Sequence, residues 1–122
     1  MDDTRSPGIV LVSHSAAIAE GLAAMAREVA GDGVTIVPAG GGPEGTLGTD
    51  GGRVAGALVE ADSGAGVVVL ADIGSAILSI RAVLADAPLV EGAIAAAVTA
   101  ATGGDLDAVR SAAEEAWDVR KL

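Results

Sequence analysis

The sequence predicts an α/β fold with a mostly parallel central sheet and helices on both faces. Three observations predict it. Short continuous apolar runs recur at Ile9-Val10-Leu11-Val12 and Val67-Val68-Val69-Leu70, with a β-branched segment at Val34-Thr35-Ile36-Val37 between them, as expected of strands in a largely buried sheet. Longer segments between them carry apolar residues at helical spacing. Glycine and hydroxyl residues mark the handovers from strand to helix.

Each element follows in order. Residues 1–7 read as a flexible lead-in, and residues 8–122 as one domain, the size that 122 residues normally fill. The first strand spans Ile9 to Val12. A helix from about Ser15 to Ala30 places Ile18, Leu22, Met25, Ala26 and Val29 on one face, and Gly31-Asp32-Gly33 stops it. The second strand runs from Val34 to Val37, where Pro38 ends it. A glycine-rich loop follows, Ala39 to Asp50, either a plain connection or a functional loop. No Gly-Lys-Ser/Thr follows its glycines, so it is not a P-loop.

Thr49 or Asp50 caps a second helix reaching about Ala61, with Val54, Leu58 and Val59 apolar. The strongest strand, Val67 to Leu70, ends in Ala71-Asp72-Ile73-Gly74-Ser75 and leads to a helix from about Ser75 to Leu84. After Pro88-Leu89-Val90-Glu91-Gly92 comes an alanine-rich helix, Ala93 to Ala101. Gly103-Gly104 breaks it. Asp105 caps a last helix from Leu106 to about Lys121, whose inner face carries Leu106, Val109, Ala113 and Trp117.

Composition narrows the function. Trp117 is the one aromatic residue, so the core is built from Val, Leu, Ile and Ala, with 18 glycines allowing close backbone approach. Seven basic against 17 acidic residues give a net charge of −10. That balance argues against nucleic acid and anionic membranes as partners. Without cysteine there is no disulfide framework and no thiolate zinc site. One histidine and scattered carboxylates make no metal cluster, and no cofactor motif is present. No apolar run reaches the ~18 residues of a membrane span, and no signal peptide opens the chain. The expectation is a cytoplasmic protein.

His14 is the only histidine, and it stands where the first strand hands over to a helix. In α/β folds that end of a parallel strand holds the chemistry, and a helix N-terminus favours an anion such as phosphate. The plain alternative is a histidine that only caps or packs. Asp72 ends the third strand in the same way, and alone it would read as an N-cap or turn residue. If the two strands are neighbours, Asp72 lies near His14. A carboxylate accepting from imidazole Nδ1–H fixes the tautomer and leaves Nε2 as nucleophile. Gly74 and Ser75 would then offer N–H and hydroxyl donors to a transferred phosphoryl group.

Four motifs occur in order: Val12-Ser13-His14-Ser15, Gly48-Thr49-Asp50, Asp72-Ile73-Gly74-Ser75-Ala76 and Ala87-Pro88-Leu89-Val90-Glu91-Gly92. From about Gly8 to Trp117 the chain resembles the DhaM family, the phosphotransferase subunits of dihydroxyacetone kinases, which is related to mannose-type EIIA domains. The resemblance implies a mannose-type EIIA-like fold and a homodimer. It implies that His14 takes a phosphoryl group on Nε2 from phospho-HPr and passes it to ADP on a nucleotide-binding, DhaL-type kinase subunit. Asp72 matches the acidic partner of that histidine; Ser15, Thr49, Gly74 and Ser75 match its phosphate-side positions. Some family members continue into HPr-like and enzyme-I-like domains, so the donor expected here is a separate HPr. The alternatives are an EIIA of a sugar transporter and a non-catalytic regulatory module with an inert His14.

One stretch departs from the family pattern. The segment from Ser75 to Pro88 is short for a helix plus a strand, since a parallel crossover alone takes about a dozen residues. Either Ala82 to Ala87 holds a shortened strand, or the fourth strand is missing.

Overall fold

A computed structural model describes residues 5–72 and 82–119 of the chain. Its elements are β1 (Gly8–Ser13), α1 (Ala16–Ala30), β2 (Ile36–Gly40), α2 (Gly51–Ala61), β3 (Val67–Ala71), β4 (Ala82–Leu84), α3 (Leu89–Ala101) and α4 (Leu106–Glu115), with 3-10 turns at Pro43–Gly45 and Ala116–Asp118. The four strands form one sheet in the order β2-β1-β3-β4, with every neighbouring pair parallel. The expected α/β architecture is therefore present.

Alternation along the two central strands divides the core. Ile9 and Leu11 of β1 and Val68 and Leu70 of β3 face the layer made by α1, α3 and α4. Val10, Val12, Val67 and Val69 face α2. All eight are buried to within 2% exposure, which is why these strands read as unbroken apolar runs rather than alternating ones.

Helix α1 turns a different face inward from the one its larger residues suggest. Ala19, Leu22, Ala23 and Ala26 are buried, whereas Ile18, Met25 and Val29 are about half exposed. The cause is close approach to the sheet. A Cβ on Gly40 would lie 2.7 Å from both Ala16 Cα and Ala19 Cβ, so only small side chains fit at this contact. Helix α3 follows the same rule, with Ala93, Ala96, Ala97 and Ala100 fully buried.

Pro38 does not end β2; it lies inside it. The Ile9 N–H donates to Thr35 O and the Gly41 N–H to Ser13 O. The odd-numbered residues of β2 thus carry the ladder to β1, and the Pro38 nitrogen faces the open edge, where no donor is needed. The outward carbonyls beside it are capped. Arg27 donates to Ile36 O (Nη2 at 2.6 Å), and Arg53 Nη1 donates to Gly40 O (3.4 Å). An edge lacking a donor and with covered acceptors is a poor template for a further strand.

Three boundaries near the second half also differ from expectation. Ala82–Leu84 form a strand rather than the end of a helix, paired Val67↔Ala82 to Val69↔Leu84. This is the shortened fourth strand; it gives the backbone of β3 partners on its second side, continued by Ala85 N–H to Val69 O. The rest of the helix expected from Ser75 lies outside the described residues. Helix α3 begins at Leu89, because Pro88, at φ −66°, is set for helix entry and its carbonyl accepts from Gly92 N–H at 2.7 Å. Glycine is required at position 92 because a Cβ would meet Ala87 Cβ and Leu70 Cδ2 at 2.9 Å. Helix α4 ends at Glu115, and Trp117 sits in the 3-10 turn beyond it, 61% exposed, its indole N–H bonded to Asp86 O at 2.8 Å.

Two predictions test this packing. Val68→Asp buries a carboxylate between α-helical and sheet layers; the cost of several kcal/mol rivals the whole stability of a small domain, so the variant is expected to be insoluble or to lack a cooperative melt. A soluble variant melting cooperatively would refute the position of β3. Gly40→Ala forces α1 off the sheet and is expected to cost roughly 1–3 kcal/mol in denaturant unfolding; an unchanged midpoint would show that the helix has room to spare.

Candidate functional site

The C-terminal ends of β1 and β3 meet beside the N-terminus of α1. The β1–β3 register runs from Gly8↔Val67 to Val12↔Ala71. One step further along, Ser13 stands opposite Asp72. The Asp72 N–H continues the ladder by donating to Val12 O at 3.1 Å. Alternation then places both side chains on the side of Leu11 and Leu70.

The Asp72 carboxylate is held by three groups from β1 and its extension. Oδ2 accepts from the Ser13 hydroxyl at 2.7 Å and from the His14 backbone N–H at 3.2 Å. Oδ1 lies 3.3 Å from His14 Nδ1. An ionised carboxylate only accepts, so with Asp72 charged and the ring neutral this bond is made by the Nδ1–H tautomer. Nε2 is then the free lone pair. The two side chains are 36% and 25% exposed, so a partner can reach the ring while its other nitrogen is tethered.

Ser15 is the N-cap of α1: its hydroxyl accepts from Ile18 N–H at 3.3 Å and its own N–H donates to Ser13 Oγ at 3.0 Å. The first turn of α1 thus starts directly after the histidine. On the other flank, the glycine-rich loop is pinned to the site. Gly41 N–H donates to Ser13 O and Gly48 N–H to His14 O, each at 3.0 Å. Gly42 N–H closes the loop onto Thr46 O at 2.7 Å. Thr49 follows Gly48 and is exposed, and Asp50 caps α2 by accepting from Gly52 and Arg53 N–H groups. The fourth motif reaches the same end of the sheet, where Asp72, Leu84, Pro88, Leu89 and Trp117 line one groove.

The structure therefore brings His14, Asp72 and Ser15 together and sets the Thr49 loop against the His14 backbone. Gly74 and Ser75 lie outside the described residues. Among the described residues, no group of three or more His, Asp or Glu could hold a metal ion, and no helix is long and apolar enough to cross a membrane. Sequence reasoning missed Ser13 as a site residue. Its signal was the period-two alternation from Ile9 through Leu11, which puts Ser13 on the Asp72 side once the strands are neighbours.

Comparison with known proteins now bears on this geometry. The EIIA-man family, described as "PTS system fructose IIA component", matches residues 8–85. A phosphoryl donor subunit DhaM of a PEP-dependent dihydroxyacetone kinase from Listeria innocua is 40% identical over 114 residues, which cover 83% of this chain and 91% of the relative. The chain belongs to the EIIA-man family, in its DhaM branch. The DhaM protein of Escherichia coli K12 is 35% identical over 129 residues, 93% of this chain but 27% of that longer protein. The crystal structure of a protein of unknown function, EF1359, superposes with a TM-score of 0.78 at 35% identity, covering 90% of this chain and 94% of that one. The EIIA-man match takes in Ser13, His14, the pinned loop, Asp72 and β4, that is, the site and the whole described sheet.

Asp72→Asn is informative because Oδ2 already accepts two hydrogen bonds. An amide NH2 cannot take that place, so the amide oxygen turns toward Ser13 and the His14 N–H. The NH2 then faces Nδ1 and favours the Nε2–H tautomer, which has no nucleophilic lone pair at Nε2. Chemistry at Nε2 is expected to slow roughly a hundredfold without vanishing, on the scale of one charge-assisted hydrogen bond. A rate equal to wild type would make Asp72 a turn residue only.

Proposed function

We propose that this chain is a histidine phosphocarrier, the phosphoryl donor subunit of a phosphoenolpyruvate-dependent dihydroxyacetone kinase. The observation that carries the reading is the partly exposed His14 whose Nδ1 faces Asp72 Oδ1 at 3.3 Å, at the strand end where parallel α/β sheets keep their chemistry. The relatives named as DhaM phosphoryl donor subunits support the substrate side.

In this reading the Nε2 lone pair attacks the phosphorus of phosphohistidine on HPr. A new N–P bond forms as the N–P bond of the donor breaks, and the donor imidazole leaves with the electron pair. His14 keeps its Nδ1 proton and becomes a charged phosphoimidazolium, with Asp72 opposite the new charge. A terminal oxygen of ADP, held on a DhaL-type nucleotide-binding subunit, then attacks the same phosphorus. ATP forms, the Nε2–P bond breaks, and His14 returns to the neutral ring. ATP so regenerated phosphorylates dihydroxyacetone on the third subunit. Ser15, Thr49, Gly74 and Ser75 are the candidates for contacts to the phosphoryl oxygens. The working unit is a homodimer in the cytoplasm, with neither metal nor cofactor of its own.

The deciding experiment incubates the protein with phosphoenolpyruvate, enzyme I and HPr and reads intact mass, with His14→Ala alongside. One acid-labile phosphoryl adduct is expected on the wild type and none on the variant, whose melt should match wild type. An adduct retained by the variant removes His14 from the chemistry. No adduct on either protein favours an inert regulatory module. Transfer onward to ADP on the kinase subunit, rather than to a sugar-transporter component, separates the kinase reading from a transporter EIIA.

A further inference from the structure

Ser13 is the one polar side chain buried among the described residues, at 1% exposure. Burying a hydroxyl is unfavourable unless both its donor and its acceptor are used. Here both are. The oxygen accepts from Ser15 N–H at 3.0 Å, and the single hydroxyl proton goes to Asp72 Oδ2 at 2.7 Å. The Ser15 N–H can only donate, and so can the His14 N–H that shares Oδ2. The direction of the Ser13–Asp72 hydrogen bond is therefore set by the backbone.

We propose that Ser13 is a positioning residue: its buried hydroxyl locks the Asp72 carboxylate so that Oδ1 faces the His14 ring, and thereby selects Nε2 as the reactive nitrogen. The chain of cause runs from strand to ring. The β1 backbone fixes Ser13, and the α1 N-terminus, through Ser15 N–H, fixes the direction of the hydroxyl. The hydroxyl holds Oδ2, and Oδ1 demands a proton on Nδ1. Without the hydroxyl, Oδ2 loses its 2.7 Å bond to β1 and keeps the longer 3.2 Å bond to His14 N–H. The carboxylate is then less firmly oriented, and the preference of the ring between tautomers weakens. The Ser13 hydroxyl bonds Asp72 and Ser15 rather than the imidazole, and nothing in its role requires it to react.

The role as a selector for phosphoryl transfer rests on the phosphocarrier reading, but the hydrogen-bond lock can be tested without it. The first measurement is the His14 ring 15N spectrum of the neutral, unphosphorylated protein. Wild type is expected to be mainly the Nδ1–H tautomer. In Ser13→Ala the ratio of Nδ1–H to Nε2–H is expected to fall roughly tenfold, the scale of one hydrogen bond to a charged group. Ser13→Thr keeps the hydroxyl and is expected to restore the wild-type ratio. Should Ser13→Ala fail to fold, Ser13→Cys fills the same space with a weaker donor and should shift the ratio the same way.

The second measurement is a double-mutant cycle with Asp72→Asn. If Ser13 acts through Asp72, adding Ser13→Ala to Asp72→Asn changes the tautomer ratio by clearly less than Ser13→Ala does in the wild-type background. Equal ratios in wild type and a folded Ser13→Ala protein would overturn the proposal, leaving Ser13 as a strand-end packing residue; so would fully additive effects in the cycle. In the HPr assay, Ser13→Ala is expected to take up phosphate about tenfold more slowly and to carry a larger share of it on Nδ1, read by NMR of the adduct. Failure of all variants and wild type to take up phosphate, with the tautomer shift intact, would count against the phosphocarrier reading and not against the lock.

Discussion

The structure depends on the parallel pairing of β1 with β3. That pairing buries eight aliphatic side chains in two layers, and the same register delivers Ser13 opposite Asp72 at its end. Core and site are consequences of one ladder. A slip by one residue would turn Leu11 and Leu70 toward the wrong layers. It would also part the Ser13 hydroxyl from the carboxylate. Selection for a packed core and for an aligned imidazole thus bear on the same hydrogen bonds. A loop-borne pair would have to fix its geometry locally, at a cost in backbone entropy.

The absence of large side chains shapes the rest. A core built from aliphatic and alanine side chains can be dense only if helices lie very near the sheet. Gly40 under Ala16 and Ala19, and Gly92 against Leu70, are where the backbone comes close enough to satisfy that demand. Gly40 lies beside Ser13 in the register. The contact that packs α1 against the sheet is therefore also the contact that places the first turn of α1 next to His14. Arg53 adds a tie from α2 to Gly40 O on the open side of β2. One of seven basic residues is thus used at a backbone carbonyl beside the site, and Arg27 is used likewise at Ile36.

Much of this was legible in the sequence, and the misses have physical causes. β1 and β3 were plain because strands buried on both faces read as unbroken aliphatic runs. β2 was displaced because Pro38 signals a stop, while an edge strand tolerates proline where its nitrogen faces outward. The buried face of α1 was misassigned because volume suggested Ile18, Met25 and Val29, whereas the narrow gap to the sheet takes alanine. Helix α3 begins earlier than its alanine run because Pro88 starts helices well. Trp117, the largest apolar residue, lies outside the core because α4 ends before it. At the site, His14 and Asp72 were visible as two strand ends of like chemistry. Ser13 was hidden because a serine before a histidine reads as turn chemistry, and only the β1–β3 register reveals its partner.

The strength of the His14–Asp72 contact bears on what kind of chemistry the site suits. A carrier must accept a phosphoryl group and give it up again, so neither state can be held too firmly. A fully buried ion pair would interact by several kcal/mol, enough to trap a charged phosphoimidazolium. The pair here is separated by 3.3 Å and partly solvated on both sides, so solvent screening leaves only part of that interaction. That is sufficient to bias a tautomer and to shield a developing charge, yet small against the free energy of a phosphoryl bond. The firm hydrogen bonds lie one step back, at the 2.7 Å contact between Ser13 and Asp72, where they set direction without stabilising either state of the ring. A tightly held carboxylate presenting one loosely engaged oxygen is thus an arrangement that suits the reversible transfer proposed at Nε2.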